Sequence, residues 1–389
     1  MKLLILTSRF PYPLEKGDKL RIYHQIRVLS QSHEIVLCSL SDQPVSSADR
    51  DALKPFCSRI FIFPLTRFGI FWNLFLTIFS RHPFQVGYFF RPSVKHELDK
   101  ILETEKPDRV FCQLIRMYEY TAGWQIPLLL DYMDCFSVGM ARRAKHAGWG
   151  LKSFLNWEAK KLARAEILAA RRFDLRTIIS EQDRLLLPEG VQKEVYIIPN
   201  GIDTRFFSRQ TENISAEYLI VFVGNLGYFP NVNAARFLVR KIMPEVWKVL
   251  PNAKVLLAGA RPAPGVMALT QNPRVVVSGW VEDIRTAYIQ GEIFVAPLFT
   301  GSGQQNKILE AMAMGVPCIT TPLVNNAIGA AEETEILLAD TPESFATQII
   351  RLHRDKNLHQ TLRNKGVYFV NNHFSWEKSV QMLEVLLKK

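Results

Sequence analysis

Short apolar runs alternate with longer stretches of mixed polarity along the 389 residues of the chain. In the first half the runs are LLILTS (3–8), EIVLCSL (34–40), RIFIFPL (59–65), RVFCQL (109–114), IPLLLDYMD (126–134), LRTIIS (175–180) and VYIIPNGID (195–203). Between them lie stretches that read as helices: Asp18 to Ser32, Ser93 to Glu105, and a long charged segment from Ser153 to Phe173. The second half repeats the alternation with YLIVFVG (218–224), AKVLLAG (253–259), RVVVSGW (274–280), IFVAPL (293–298) and CITT (318–321). Its predicted helices cover Asn233 to Leu250, Ile284 to Gln290, the stretch entered through GSGQQNKILEAMAMG, and the region after Pro342. Short apolar runs separated by helices of about ten or more residues predict parallel strands with crossover helices. The fold class is therefore α/β, two doubly wound domains in tandem, and ligands of such sheets gather at the carboxyl ends of the strands.

The polar, aperiodic stretch RFFSRQTENISA (205–216) is the predicted boundary, giving an N-terminal domain of residues 1–205 and a C-terminal domain of residues 206–375. A terminal helix, 376–389, carries Val380, Leu383, Leu386 and Leu387 at helical spacing and needs an apolar surface, which either domain, the N-terminal one included, can supply. The segment FGIFWNLFLTIF (68–79) has no charge and is framed by Arg67 and Arg81. It is too short to span a bilayer, which takes about 20 apolar residues. Two readings stay open for it: an aromatic-rich core helix, or an interfacial helix with Trp72 at the lipid headgroups.

Composition narrows the class. With 48% hydrophobic and 22% charged residues, the chain can bury two cores, and disorder is excluded. Cys38, Cys57, Cys112, Cys135 and Cys318 show no paired spacing and read as reduced core residues of a cytosolic protein. Only four apolar residues follow Met1-Lys2 before Thr7-Ser8-Arg9, which is a first strand and not a signal core. Residues 1–205 hold 30 Lys and Arg against 22 Asp and Glu, so +8 of the net charge of +11 lies in the first half. That bias suits an anionic partner such as a membrane surface or a lipid phosphate. The basic residues form no recognised nucleic-acid module, and no nucleic-acid partner is expected.

The richest chemistry lies in GSGQQNKILEAMAMGVPCITT (301–321). Its loop leaves a strand and enters a helix, where free N–H groups and the helix dipole favour an anion and Gly301 and Gly303 allow close backbone approach. Lys307, in the first turn, can add a positive charge to the same phosphate. Glu310, one turn on, is placed to accept hydrogen bonds from ribose hydroxyls, as the acidic residue of dinucleotide sites does. The alternative is a surface ion pair at i,i+3, worth about 0.2–0.5 kcal/mol. No GxGxxG follows the first strand and no GxxxxGK[ST] loop occurs, which argues against dehydrogenases and P-loop enzymes.

The same run resembles the core motif of the family 4 glycosyltransferases, retaining enzymes of the two-domain GT-B fold that use nucleotide sugars. Other pieces agree in order along nearly the whole chain: RFPYPLEKGDKLRIYHQIRVL, IISEQD, IIPNGIDTRFF, FVGNLGYFPNVNAARFL and VSGWVEDIRTAYIQG. The overall pattern is most similar to sugar transferases that build bacterial exopolysaccharides. The resemblance implies two Rossmann-like domains facing one cleft, with the donor on the second and the acceptor on the first. It makes Glu310 the second carboxylate of an E-x7-E pair, the one that binds ribose. Ser302 stands where the first Glu is usual, so backbone N–H groups of Gly303 and Gln304 are expected to hold the donor sugar. The family's Arg and Lys after the first turn of the second domain have no counterpart at Gly224-Asn225-Leu226-Gly227, and no cation lies nearby in sequence. Lys307 is therefore expected to neutralise the leaving diphosphate, and Gly224, Asn225, Trp280 and Val281 to complete the donor site.

On the acceptor side the resemblance points to the loop after the first strand. Gly17 gives close approach opposite the donor phosphate, Asp18 is read as a helix cap or a site residue, and Arg21 is expected to touch phosphate or acceptor. Arg116 lies in the stretch 113–118, where relatives carry a His that is absent here. No protein base is implied, since front-face attack lets the leaving phosphate take the proton. Asp131 and Asp134 form a DxxD read as a loop or helix cap, and no His pairing indicates a metal. The donor, a UDP- or GDP-sugar, is the one small molecule required; Mg²⁺ is left open. The expected function is retaining transfer of a sugar to a glycan or lipid-linked glycan in cell-surface polysaccharide synthesis, in the cytoplasm or on the inner face of the membrane. The alternatives are a sugar-nucleotide epimerase of the same fold and a non-catalytic membrane-associated scaffold.

Overall fold

The computed structural model of the chain describes residues 1–145, 147–208, 216–300 and 304–389. It divides into two compact units, the first formed by Met1–Pro199 with Val380–Lys389 and the second by Asn200–Ser379.

The first unit is built on a sheet of β1 (Lys2–Thr7), β2 (Glu34–Ser41), β3 (Arg59–Pro64), β4 (Arg109–Gln113), β5 (Leu128–Asp131), β6 (Leu175–Ile178) and β7 (Val195–Ile197). Their order is β3-β2-β1-β4-β5-β6-β7, with every pairing parallel. Leu3–Leu6, Val110–Cys112 and Leu128–Leu130 are fully or almost fully buried, which explains why these runs are continuously apolar and do not alternate.

The second unit contains β8 (Tyr218–Val223), β9 (Val255–Ala258), β10 (Val275–Gly279), β11 (Gly291–Ala296), β12 (Cys318–Thr320) and β13 (Leu337–Leu338). They pair in parallel in the order β10-β9-β8-β11-β12-β13. Strand order reverses between β8 and β11, so the loops leaving these two strands flank the switch point where doubly wound sheets hold ligands. β13, two residues long, lies in the short apolar run ILLA (336–339), which the sequence reading passed over.

Two details, the boundary and the helix after β8, depart from the sequence-based expectation, while the terminal helix takes one of the placements it left open. Residues 200–205 side with the second unit: the Ile202 N–H donates to the Phe374 carbonyl, and Ile202 pairs with Ser375. The terminal helix Trp376–Leu387 begins in the second unit and passes into the first at Val380, where Val380, Leu383, Leu386 and Leu387 are buried. The predicted helix Asn233 to Leu250 starts earlier, at Phe229 with Pro230 in its first turn, and is broken by a π turn at Leu238–Ile242. Pro244 stands just beyond that turn; lacking an N–H, it cannot continue the ordinary hydrogen-bond ladder.

The uncharged segment forms a helix, Arg67–Ile78, whose N-terminus is capped by Thr66 Oγ1 accepting the Gly69 N–H at 3.2 Å. Thr77 is the one buried residue in it, so it is not a core helix.

Candidate active site

The helix Asn306–Ala313 follows β11 and turns Ile308, Leu309, Ala311 and Met312 into the core. Lys307 and Glu310 are left at its partly buried margin. Lys307 Nζ donates to Asn231 Oδ1 at 2.6 Å and lies 5.7 Å from the centre of the Phe222 ring. Burial lowers its pKa to about 8, against the opposing pull of Glu310. Glu310 Oε2 accepts the Tyr288 hydroxyl at 2.7 Å. Burial raises the Glu310 pKa, while the Tyr288 bond and the Lys307 charge oppose the rise. Tyr288 is completely buried, and burial followed by the nearby Glu310 charge pushes its phenol well up, so it stays a donor. Lys307 and Glu310 thus do not form the i,i+3 surface pair: each is held by a neutral partner on a different element.

Asn231 ties this helix to the turn after β8. Its Nδ2 donates to the Asn225 carbonyl at 2.9 Å, and Asn225 Oδ1 accepts the Gly227 N–H at 3.0 Å. The turn is pinned in turn to the loop after β9, with the Leu226 N–H on the Ala260 carbonyl at 2.9 Å. Gly259 has φ +141°, and a Cβ there would lie 1.7 Å from the Gly224 carbonyl oxygen, so no other residue fits. Arg261 comes next, exposed and left-handed at φ 55°. Its carbonyl packs so closely that a Cβ on Gly227 would be 2.7 Å from it. No cation lies near this turn in sequence, but Arg261 comes beside it from the neighbouring strand's loop, out of reach of any local motif.

Gln304 grips Asn200, its Oε1 accepting the backbone N–H at 3.0 Å and its Nε2 donating to the carbonyl at 2.9 Å. Trp280, just beyond β10, is 72% exposed, with Val281 partly buried beside it in sequence. Asp283 then caps the helix Ile284–Ile289 that carries Tyr288. Gly301, Ser302 and Gly303, and with them the expected backbone hold on the donor sugar, lie outside the described residues.

In the first unit Gly17 opens the helix Gly17–Leu29, exposed and with free space around it. Asp18 does not cap that helix. Its carboxylate accepts Arg9 Nη1 at 2.8 Å and stands 3.7 Å from Arg116 Nη1, two cations that outcompete a backbone N–H. Arg116 Nε donates to Gln85 Oε1 at 2.9 Å, and its guanidinium lies 5.2 and 5.1 Å from the Phe89 and Phe136 rings. Burial and the nearby Arg9 charge lower its pKa to about 10.

Arg21 is not on the acceptor side. It is fully buried, its Nε donating to Asp131 Oδ2 at 2.6 Å and its Nη2 to Asp131 Oδ1 at 3.3 Å and the Ile198 carbonyl at 2.9 Å. Asp131 also accepts Thr177 Oγ1 at 3.0 Å and the Met133 N–H at 3.3 Å, so it is the partner of a buried cation and caps the loop after β5 as well. Arg21 faces inward with Ile22, Gln25 and Ile26, which removes it from any ligand. Among the described residues no group of His, Cys, Asp and Glu could hold a metal ion, and no helix is long and apolar enough to cross a membrane.

Four contributors escaped the sequence reading: Asn231, Tyr288, Arg261 and Arg9. Tyr288 had a signal, since a tyrosine on the apolar face of a helix needs a partner for its hydroxyl.

Residues 217–355 match the family model described as Glycosyl transferases group 1. The capsular polysaccharide biosynthesis glycosyltransferase CapM of Staphylococcus aureus is 27% identical over 217 residues, 51% of this chain and 54% of its own. The protein is a glycosyltransferase. The enzyme also aligns at 20% identity with an uncharacterized 44.6 kDa protein in the cps region of Klebsiella pneumoniae, over 97% of both chains. Among solved structures, sucrose-phosphate synthase (tll1590) from Thermosynechococcus elongatus has a TM-score of 0.72 at 16% identity, over 100% of this chain and 98% of that one. Anabaena Alr3699/HepE in complex with UDP has a TM-score of 0.70 at 15% identity, over 100% of both. These likenesses show the fold of the enzyme, which is GT-B: two Rossmann-like domains, each on a parallel sheet.

Proposed function

We propose that the enzyme is a retaining glycosyltransferase of the family 4 type that moves a sugar from a nucleoside diphosphate to a hydroxyl of a glycan or lipid-linked glycan during capsular polysaccharide synthesis. The observation that carries this reading is the divided pair at the switch point of the second sheet, Lys307 on Asn231 and Glu310 on Tyr288. The two charges feel each other but form no direct ion pair, which suits a ligand that is anionic at one end and offers hydroxyl donors at the other. A nucleoside diphosphate is such a ligand: diphosphate toward Lys307 and Arg261, ribose hydroxyls on Glu310, base along Trp280 and Val281. The UDP complex of HepE supports a uridine donor. The name of CapM supports the capsular setting.

In transfer, the bond from the anomeric carbon to the diphosphate breaks as the acceptor oxygen bonds to the same face of the sugar. The acceptor proton passes to the departing phosphate oxygen. Negative charge grows on the diphosphate at that moment, and Lys307 and Arg261, preorganised by Asn231 and Gly259, stabilise it. Arg116, Asp18 and Arg9 at the carboxyl edge of the first sheet are the residues we assign to the acceptor. Peripheral attachment to the inner membrane face accords with a lipid-linked acceptor.

A thermal-shift panel of UDP, GDP and ADP tests the reading. One nucleotide is expected to raise the melting temperature, and Glu310→Ala to weaken its binding about 100-fold through two lost charge-assisted bonds. A panel without any shift, or a Glu310→Ala variant that binds like the parent, sinks it.

A further inference from the structure

The helix Arg67–Ile78 exposes one continuous aromatic stripe. Phe68, Phe71, Trp72, Phe75 and Phe79 recur at spacings of three and four residues and are between 46% and 78% exposed. A second helix, Trp149–Arg172, extends the apolar surface with Trp149, 90% exposed, and with Leu151, Phe154 and Trp157. The two helices are fastened together. Lys161 Nζ donates to the carbonyls of Thr77 and Ser80 at 3.2 and 2.8 Å and sits 3.8 Å over the Trp157 ring. The Phe84 ring lies 5.3 and 5.8 Å from Phe154 and Trp157, and Glu158 accepts the N–H groups of Phe84 and Gln85 at 3.0 and 3.2 Å. An apolar face this large on a monomer marks a place where something else binds.

The charges around it say what. Residues 67–81 and 136–172 contain eleven Lys and Arg and two carboxylates, Glu158 and Glu166. Both carboxylates are buried, at 1% and 0% exposure, while Lys152, Lys160 and Arg164 are exposed on the same helix. Toward solvent, then, these segments offer aromatic rings and cations with no acid among them. An acidic protein partner would match the cations yet leave the rings without a fitted apolar counterpart. A bilayer supplies both, a fluid apolar layer beneath a sheet of phosphates. Arg81 and Arg164 also line, with Tyr118 and Glu119, a cavity of about 570 Å³, room enough for a glycerophosphate headgroup.

We infer that this two-helix face docks the enzyme on an anionic lipid bilayer, with the aromatic stripe in the headgroup boundary and the cations on lipid phosphates. The inference stands on the first unit alone and does not depend on the nucleotide reading. It has a consequence for that reading all the same. Gln85, held by Glu158 behind the docking face, accepts Arg116 at 2.9 Å, so the residues assigned to the acceptor are wired to the membrane-facing layer.

The test is co-sedimentation of the full-length enzyme with vesicles of phosphatidylcholine alone or mixed equally with phosphatidylglycerol. Binding is expected to the mixed vesicles, to weaken as salt is added, and to be slight on pure phosphatidylcholine. A Lys152→Glu, Lys160→Glu, Arg164→Glu variant should lose about 100-fold in partitioning, since each surface cation contributes about five-fold. A Phe68→Ser, Phe71→Ser, Trp149→Ser variant should lose binding without losing the salt-dependent encounter. Both variants alter exposed side chains only, and an unchanged melting temperature of the ligand-free enzyme in each verifies folding and separates this test from that of the donor site. Equal binding to both vesicle types, variants that bind like the parent, or self-association through the aromatic stripe without vesicle binding overturns the inference.

Discussion

In the first unit Arg21 and Asp131 meet in a bidentate pair with no exposed surface, whereas in the second Lys307 and Glu310 share one helix and bond instead to Asn231 and Tyr288. The residue types are nearly the same and the outcome is opposite. A charge closed against its counter-charge has spent its electrostatic attraction within the fold and serves as scaffold. A charge steadied by a neutral amide or phenol is oriented without being neutralised, and its field remains for a ligand.

Breaking the closed pair should have the largest effect. Arg21→Met or Asp131→Leu alone strands a buried charge and should cost about 3–5 kcal/mol in urea unfolding, while the double variant recovers most of it. Single variants of parental stability would show that Asp131 is neutralised in some other way. Lys307→Met sharpens the contrast from the other side. It keeps an apolar stem against Phe222. Ligand-free stability should change by less than about 1 kcal/mol, while UDP affinity measured by calorimetry drops about 10- to 100-fold. A large stability loss with unchanged affinity would make Lys307 a second scaffold cation.

The smallest expected effect is a titration. Burial holds the Lys307 pKa near about 8, so the ammonium is present below that value and lost above it. UDP affinity should therefore fall as pH rises through about 8, and Lys307→Arg, which stays charged, should flatten that limb. An affinity independent of pH on both sides of that value would remove Lys307 from the diphosphate.

The strands were legible because fully buried parallel strands are written as unbroken apolar runs, as at Leu3–Leu6 and Val110–Cys112. The helix after β11, with Lys307 and Glu310 three residues apart, was legible from local spacing. What stayed hidden depends on residues far apart in the chain. Arg21 reads as a cation one turn into its helix that touches phosphate or acceptor, until Asp131, 110 residues away, comes beside it. Arg261 cannot be associated with Gly227 before β8 and β9 are paired, nor Tyr288 with Glu310 before two helices converge. The aromatic helix stayed open between two readings for a different reason: hydrophobicity sets how much an uncharged segment gains by leaving water, not where it goes.

The first unit takes its last ten residues, Val380–Lys389, from the far end of the chain, while the second is one unbroken stretch from Asn200 to Ser379. The two halves are therefore unequal as pieces to cut out. A gene fragment stopping after residue 199 would omit Val380, Leu383, Leu386 and Leu387, and would leave His33 without Glu384, its partner at 3.4 Å. The second unit can be cut out as one stretch, but the first needs two, and only joining residue 389 to residue 1 by circular permutation would make it a single piece.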